Sequence, residues 1–155
     1  MALLDVDYHH GNGSQSIFYD RSDVLYVSLH GDPRQEFPYF LGYADETGTG
    51  SGEGYNYNFP MPWGTQWDDY REGLDQGLER IHNFLPDALV ISLGVDTYKH
   101  DPISKFRLEK EHFFKIGSKM TKKIHCPSLF VLEGGYAVDE IGINVVNLLT
   151  GFLNR

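Results

Sequence analysis

The stretch LLDVDYHHGNG, Leu3 to Gly13, begins as an apolar strand and ends in polar side chains and glycine. Asp5, Asp7 and His9 occupy alternate positions, and side chains two residues apart lie on the same face of a strand. Burying two carboxylates and an imidazole is costly unless a cation or hydrogen-bond partners meet them. The spacing is therefore typical either of a cation site at the end of this strand or of a cluster of capping hydrogen bonds.

Strand and helix patterns alternate along the rest of the chain. Short apolar runs predict strands at Ala2–Tyr8, Asp23–His30, Gly54–Met61, Asp87–Asp96 and Ser128–Tyr136. Apolar residues spaced by three and four predict helices within 67–85, 109–125 and 139–153. This alternation predicts an α/β fold with a mostly parallel sheet flanked by helices. The Gly-, Pro- and aromatic-rich insertion from Gly31 to Gly64 is long enough to suggest a functional loop.

Length, composition and charge exclude several classes of protein. The 155 residues suggest one domain, and 41% of them are hydrophobic, enough for a core. Thirteen basic and 22 acidic residues give a net charge of −9, which argues against a nucleic-acid surface and a polybasic membrane patch. The single cysteine, Cys126, fits a reducing compartment, and no apolar run approaches a membrane span. We expect a cytoplasmic protein.

Three predicted strands end in unusual chemistry, and ligands of open α/β sheets bind at the carboxyl ends of strands. The first ends with Asp7 and His9, the fourth with Asp96, and the fifth with EGGY at Tyr136. Two aspartates and one histidine leave a fourth position open, as in catalytic zinc sites, which acidify water and polarise carbonyls. A phenol nearby can donate a hydrogen bond to an oxyanion. Taken singly, Asp96 is more often a helix N-cap and EGGY is a weak turn signal, so the combination carries the hypothesis.

Five motifs in order, DVDYHHGNG, VSLHGDP, FPYFLGYADETGTG, SLGVDTYKHDPIS and LEGGY, resemble the histone deacetylase superfamily, which shares the arginase-like fold. FLGYADETG, GVDT and DPIS are most similar to its bacterial acetylpolyamine amidohydrolase branch. The resemblance implies a three-layer α/β architecture with about five strands, in the sheet order fifth, fourth, first, second, third. It implies hydrolysis of the acetyl amides of small amines, either polyamines or lysine side chains.

The resemblance also implies the residues of an active site. One zinc ion per chain is expected at Asp7, His9 and Asp96, with Tyr136 donating a hydrogen bond to the oxyanion. The residues expected to line the substrate tunnel are Phe37, Gly94 and Ile103. In the related arginases two manganese ions are bound, and an extra acidic ligand follows each motif by two residues. Gly11 and Tyr98 stand in those places here, so a mononuclear site is favoured.

Monovalent cations are expected behind the zinc site on the same resemblance. A structural potassium ion is implied at the side chains of Asp5 and Ser28 and the carbonyls of Asp7, His9 and Leu29. A second monovalent cation is implied at the carbonyls of Phe18, Arg21 and Val24, with Tyr55 nearby. Zinc at the tip of the first strand and potassium behind it would neutralise its carboxylates.

The chain departs from the family pattern in one respect. Family members carry a segment before the zinc strand with the paired histidines that act as general base, so residues 1–155 are expected to form one domain equivalent to the C-terminal half. A positioned base contributes about 10²–10⁴-fold to the rate, so we expect zinc binding with weak or absent turnover. The alternatives are a catalytically inert zinc-binding half-domain and an interaction module without metal. The apolar fifth strand would lie at an unpaired edge, which predicts a homo-oligomer through that edge.

Overall fold

Strands and helices alternate along the chain in the computed structural model, which describes residues 1–154. The strands are β1 (Ala2–Asp5), β2 (Leu25–Gly31), β3 (Asn56–Met61), β4 (Leu89–Leu93) and β5 (Ser128–Leu132). The helices are α1 (Asn12–Phe18), α2 (Trp67–Phe84), α3 (Lys110–Lys123) and α4 (Ile141–Leu153). A single 3-10 turn, Gly50–Gly52, interrupts the long insertion within the described residues.

The five strands form one sheet in the order β3-β2-β1-β4-β5, and every neighbouring pair is parallel. Asp5 of β1 is in register with Ser28 of β2 and Ser92 of β4. This topology confirms the predicted α/β fold and the strand order. Because β1 lies between β2 and β4, the polar residues that follow β1 and β4 leave the sheet side by side.

Helices cover both faces of the sheet. Asn56 and Asn58 of β3 bind Gln15 of α1, with N–O distances of 3.2 and 2.8 Å. Tyr57 of the same strand lies under Arg80 of α2, 4.7 Å from the guanidinium carbon to the ring centroid. Adjacent residues of a strand point to opposite faces, so α1 and α2 lie on opposite sides of the sheet. The apolar and aromatic side chains that α2 and α3 bury are Tyr70, Leu74, Leu78, Ile81, Phe113, Ile116 and Met120.

The structure corrects the predicted elements in two ways. The first, fourth and fifth strands end at Asp5, Leu93 and Leu132, earlier than predicted, so the candidate site residues that follow them lie in loops beyond the ladder. Helix α1 was not predicted, since its sequence NGSQSIF has no apolar periodicity and Gln15 is its buried residue. No helix within residues 1–154 is long and apolar enough to cross a membrane.

The fifth strand lies at an edge of the sheet. Its burial is incomplete, with Leu129, Val131 and Leu132 exposed by 59%, 47% and 55%. Three of the five residues of β5 are therefore exposed and apolar, and only β4 pairs with the strand within the described part of the chain. This open edge is the feature on which the predicted self-association depends.

Candidate metal centre

Three side chains meet at the carboxyl edge of the sheet. Asp7 and His9 follow β1, and Asp96 follows β4. One ligand atom from each residue lies within 4.8 Å of the other two. The structure thus brings together the three residues singled out from the sequence, although their role as metal ligands stays a prediction.

Backbone hydrogen bonds fix the two carboxylates that face the cluster. Asp7 Oδ1 accepts the backbone N–H of His9 at 2.8 Å, and Asp96 Oδ1 accepts that of Tyr8 at 2.9 Å. The second oxygen of Asp96, Oδ2, is buried and has no hydrogen-bond partner among residues 1–154. A buried carboxylate oxygen without a partner is costly, so this atom calls for a ligand.

The electrostatics of the cluster also favour a cation. Burial, followed by the charge of Asp7, raises the pKa of Asp96 above its usual range. Burial likewise raises the pKa of Asp7. A cation between the two carboxylates relieves both effects, because it stabilises their charged forms.

Two glycines leave the space that the carboxylates occupy. A Cβ atom at Gly134, in the loop after β5, would lie 2.9 Å from Asp96 Oδ2 and 3.1 Å from Asp7 Cγ. A Cβ atom at Gly94 would lie 2.8 Å from Asp7 Cβ. At these two positions the loops therefore approach the carboxylates closely, because glycine has no side chain to clash with them. Two aspartates, one histidine and an unpartnered oxygen fit a zinc ion with an open position.

Glu36, in the long insertion, lies behind His9 and was not singled out from the sequence. Its Oε1 accepts hydrogen bonds from the Tyr8 hydroxyl at 2.8 Å and from Trp63 Nε1 at 2.7 Å. Its Oε2 lies 3.7 Å from His9 Nε2. A carboxylate on one ring nitrogen of a histidine sets its tautomer and leaves the other nitrogen for a metal. The only sequence feature that could have indicated Glu36 is its position directly before Phe37, the first residue of the motif FPYFLGYADETGTG.

Tyr136 lies in the loop between β5 and α4, after Gly135 with a φ of +141°. Its side chain is 49% exposed, and burial, then the charges of Asp7 and Asp96, raises its pKa. The phenol therefore stays protonated near neutral pH and can act as a hydrogen-bond donor. Its backbone N–H donates to Asp101, a second residue that sequence reasoning missed.

The residues predicted to line a substrate tunnel lie around this edge. Phe37 packs edge-on to His9, with 6.2 Å between ring centroids, and its side chain is half exposed. Ile103, in the loop after β4, is partly exposed. Gly94 is buried beside Asp7. Their roles in binding substrate remain predictions.

The residues predicted to hold potassium are also close together. Asp5 faces Ser28 across the β1–β2 ladder, and Leu29 follows on β2. Burial, then the charge of Glu133, raises the pKa of Asp5 to about 8. Its Oδ2 accepts the Tyr26 hydroxyl at 3.0 Å. A buried carboxylate with a raised pKa is compatible with a cation here, and the potassium site stays a prediction.

The second set of predicted cation ligands lies at the end of α1 and before β2. One of its predicted ligands, the Phe18 carbonyl, already accepts the backbone N–H of Arg21 at 3.1 Å, and the carbonyl of nearby Tyr55 accepts that of Tyr26 at 2.9 Å. Arg21 also pairs with Asp23 at 2.6 Å. Val24, the fourth member, is buried just before β2. A cation at this position likewise stays a prediction.

Comparison with known proteins defines the class. The family model described as the histone deacetylase domain matches residues 1–152, so the chain belongs to the histone deacetylase family. It is 59% identical over 152 residues to acetylpolyamine amidohydrolase 1 of Pseudomonas aeruginosa, covering 98% of this chain and 44% of that protein. It is 52% identical over 151 residues to the acetylpolyamine amidohydrolase of Mycoplana ramosa, covering 97% of this chain and 44% of that protein.

A solved structure agrees with this assignment. The crystal structure of acetylpolyamine aminohydrolase from Burkholderia pseudomallei superimposes with a TM-score of 0.93 at 43% identity. The match covers 97% of this chain and 44% of that chain. This chain therefore spans less than half the length of the relatives it matches.

Proposed function

We propose that this chain forms the metal-binding part of a zinc-dependent amidohydrolase that removes acetyl groups from small amines, polyamines or lysine side chains. The observation that carries the proposal is the cluster of Asp7, His9 and Asp96 with the unpartnered Asp96 Oδ2. The relatives named as acetylpolyamine amidohydrolases supply the reaction class.

The residues in and around the cluster would have two kinds of role, binding the metal ion and orienting the groups next to it. A zinc ion bound there would polarise the acetyl carbonyl and acidify water. Asp7, His9 and Asp96 would hold it, and Glu36 would fix the ring of His9 with Nε2 turned away from the ion. Tyr136 would donate a hydrogen bond to the carbonyl oxygen as negative charge develops on it. Potassium at Asp5 and Ser28 would support the strand behind.

The surroundings of the cluster suit an alkyl amide with a cationic end. Phe37 and Ile103 offer apolar surface on the rim of the site, against which an acetylated alkyl chain can pack. The net charge of −9 attracts a cationic amine at long range. We therefore propose a small acetylated amine as substrate.

Proton transfer sets the expected rate. The resemblance to the family places the basic histidine pair in a segment that precedes the zinc strand. A positioned base contributes about 10²–10⁴-fold, so we expect weak turnover from these 155 residues alone. For these 155 residues taken alone, an inert zinc-binding half-domain is the second candidate function, because the cluster of Asp7, His9 and Asp96 can hold a metal ion without carrying out the reaction.

Hydrolysis of acetylspermidine by zinc-loaded protein tests the proposal, together with measured zinc content. We expect one zinc per chain, loss of zinc in Asp96→Ala, and turnover abolished in Tyr136→Phe with zinc retained. One zinc without turnover in the unchanged protein would favour the inert module. Absence of zinc binding would contradict both candidates and favour an interaction module.

We also propose that the chain self-associates through the edge of β5. The support is the exposed apolar edge formed by Leu129, Val131 and Leu132. Light scattering after gel filtration tests this, and Val131→Lys is expected to shift the protein to the monomer. A monomeric unchanged protein at micromolar concentration would contradict the proposal.

A further inference from the structure

One buried carboxylate ties together the two loops that carry the proposed substrate-facing side chains. Asp101 is only 6% exposed and lies in the loop after β4. Its Oδ2 accepts the backbone N–H groups of Tyr136 at 2.7 Å and of Ala137 at 3.2 Å. Its Oδ1 accepts the backbone N–H of Ile103 at 3.0 Å. Both oxygens therefore bind backbone, and each binds a different loop.

We propose that Asp101 is a positioning residue: it holds the backbone of Tyr136 in the position from which the Tyr136 hydroxyl can reach the substrate carbonyl. The inference rests on the proposed function, because it assigns Asp101 a part in that reaction. Asp101 itself is not proposed to touch the substrate. It acts through the backbone of Tyr136 and, by its other oxygen, sets Ile103 relative to that tyrosine.

The anchor acts between two other backbone contacts, at Gly134 before Tyr136 and at Ala137, whose carbonyl accepts the N–H groups of Glu140 and Ile141. The side chain of Tyr136 is half exposed, so packing alone does not fix it. Gly135, just before it, has a φ of +141°, a conformation that few residues other than glycine adopt. Gly134 is held by its own carbonyl, which accepts the N–H of Val95 at 2.8 Å. After Gly135, the hydrogen bonds from the backbone N–H groups of Tyr136 and Ala137 to Asp101 fix the path of the chain.

The chemistry of the anchor suits a fixed position. Hydrogen bonds from N–H groups to a carboxylate are shorter and stronger than those to neutral acceptors. An oxyanion donor must be in place before charge develops, because reorganisation during the reaction reduces its benefit. Asp101→Asn keeps the size of the side chain but removes the charge and one of its two acceptor sides. Asp139→Asn is the matched control, since Asp139 is an exposed aspartate three residues after Tyr136.

The first test measures the hydrogen bonds to Asp101 directly, by amide hydrogen exchange, and requires neither bound zinc nor turnover. In Asp101→Asn, amide hydrogen exchange at residues 136 and 137 is expected to accelerate about 10- to 100-fold, as for loss of a hydrogen bond to a charged group. Asp139→Asn should leave these two amides within about twofold. Unchanged exchange in Asp101→Asn would overturn the proposal, whatever the outcome for zinc or activity.

The second test reads the consequence for Tyr136 and uses a double-mutant cycle. The probe is a fluorescent alkyl hydroxamate bound to zinc-loaded protein, because its carbonyl oxygen mimics the acetyl oxygen. Tyr136→Phe and Asp101→Asn are each expected to weaken binding about tenfold, and the double variant no further than Tyr136→Phe alone. Where turnover is measurable, kcat should fall and KM should stay within about twofold.

The outcomes separate the two proposals. Additive losses in the cycle would show that Asp101 acts only on the fold, and would overturn the positioning role. Failure of the unchanged protein to bind zinc would contradict the proposed function, while the exchange experiment would still decide whether Asp101 anchors Tyr136. Accelerated exchange with a non-additive cycle supports the inference.

Discussion

Gly134→Ala tests the geometry of the proposed zinc centre at a residue that offers no ligand. The added methyl group would lie 2.9 Å from Asp96 Oδ2 and 3.1 Å from Asp7 Cγ, and closer still to Asp7 Oδ2. Gly134 has no positive φ, so alanine meets no backbone penalty there. The strain falls on the carboxylates, which can move aside in the metal-free chain but not when they hold an ion.

The expected loss therefore appears in zinc affinity more than in folding. Overpacking costs roughly 1–3 kcal/mol, which corresponds to about a 5- to 150-fold rise in the zinc Kd. Competition with a chromophoric chelator measures the Kd, and urea unfolding in chelator measures the metal-free stability. Gly142→Ala is the control, because a Cβ there meets nothing within 4 Å and lies in helix α4. A zinc Kd for Gly134→Ala within twofold of the unchanged protein would refute the reasoning.

Two further changes test the surroundings. If Glu36 orients His9 as proposed, Glu36→Gln is expected to raise the zinc Kd about 10- to 100-fold, and zinc titration checks this. An unchanged Kd would contradict that role. Burial, then the charge of nearby His10, lowers the pKa of His30 to about 3, so the contribution of His30 to stability is fully present above pH 6.5 and is lost as the pH falls toward 3. At pH 4.5 the loss is about 2–3 kcal/mol in urea unfolding; His30→Gln should remove it, whereas the exposed His125→Gln should not.

Four of the five strands were predictable as short, mainly apolar runs between turn residues, and β3, within the run GYNYNFPM, as a weaker strand with alternating tyrosines. Helix α1 was not, because its buried contact is polar: Gln15 Nε2 donates to Glu46 at 2.6 Å, and its oxygen accepts from Asn56 and Asn58. These partners come from the long insertion and from β3. Because the contact joins polar side chains, the spacing of apolar residues does not reveal it, and it could not be predicted from the sequence.

The same limit applies to the candidate site. The meeting of Asp7, His9 and Asp96 was predictable because all three follow strand ends at one edge of the sheet, whereas their role as metal ligands stays a prediction. Glu36 and Asp101 accept hydrogen bonds from ring or backbone N–H groups of residues far from them in sequence, 35 positions in the case of Tyr136. Their roles follow only from the meeting of loops in three dimensions.

The concentration of acids at one edge of the sheet links the proposed chemistry to folding. Burial, then the charge of Glu133, raises the pKa of Asp5 to about 8, and burial raises that of Asp96. The folded metal-free chain therefore holds these protons at pH values where the unfolded chain, with carboxyl pKa values near 4, has released them. Their contribution to stability is fully present below about pH 4 and is lost as the pH rises toward 8. Cations that replace the protons would restore it, so stabilisation by zinc or potassium should grow with pH across this window. We therefore expect bound cations to supply part of the stability of this chain at neutral pH.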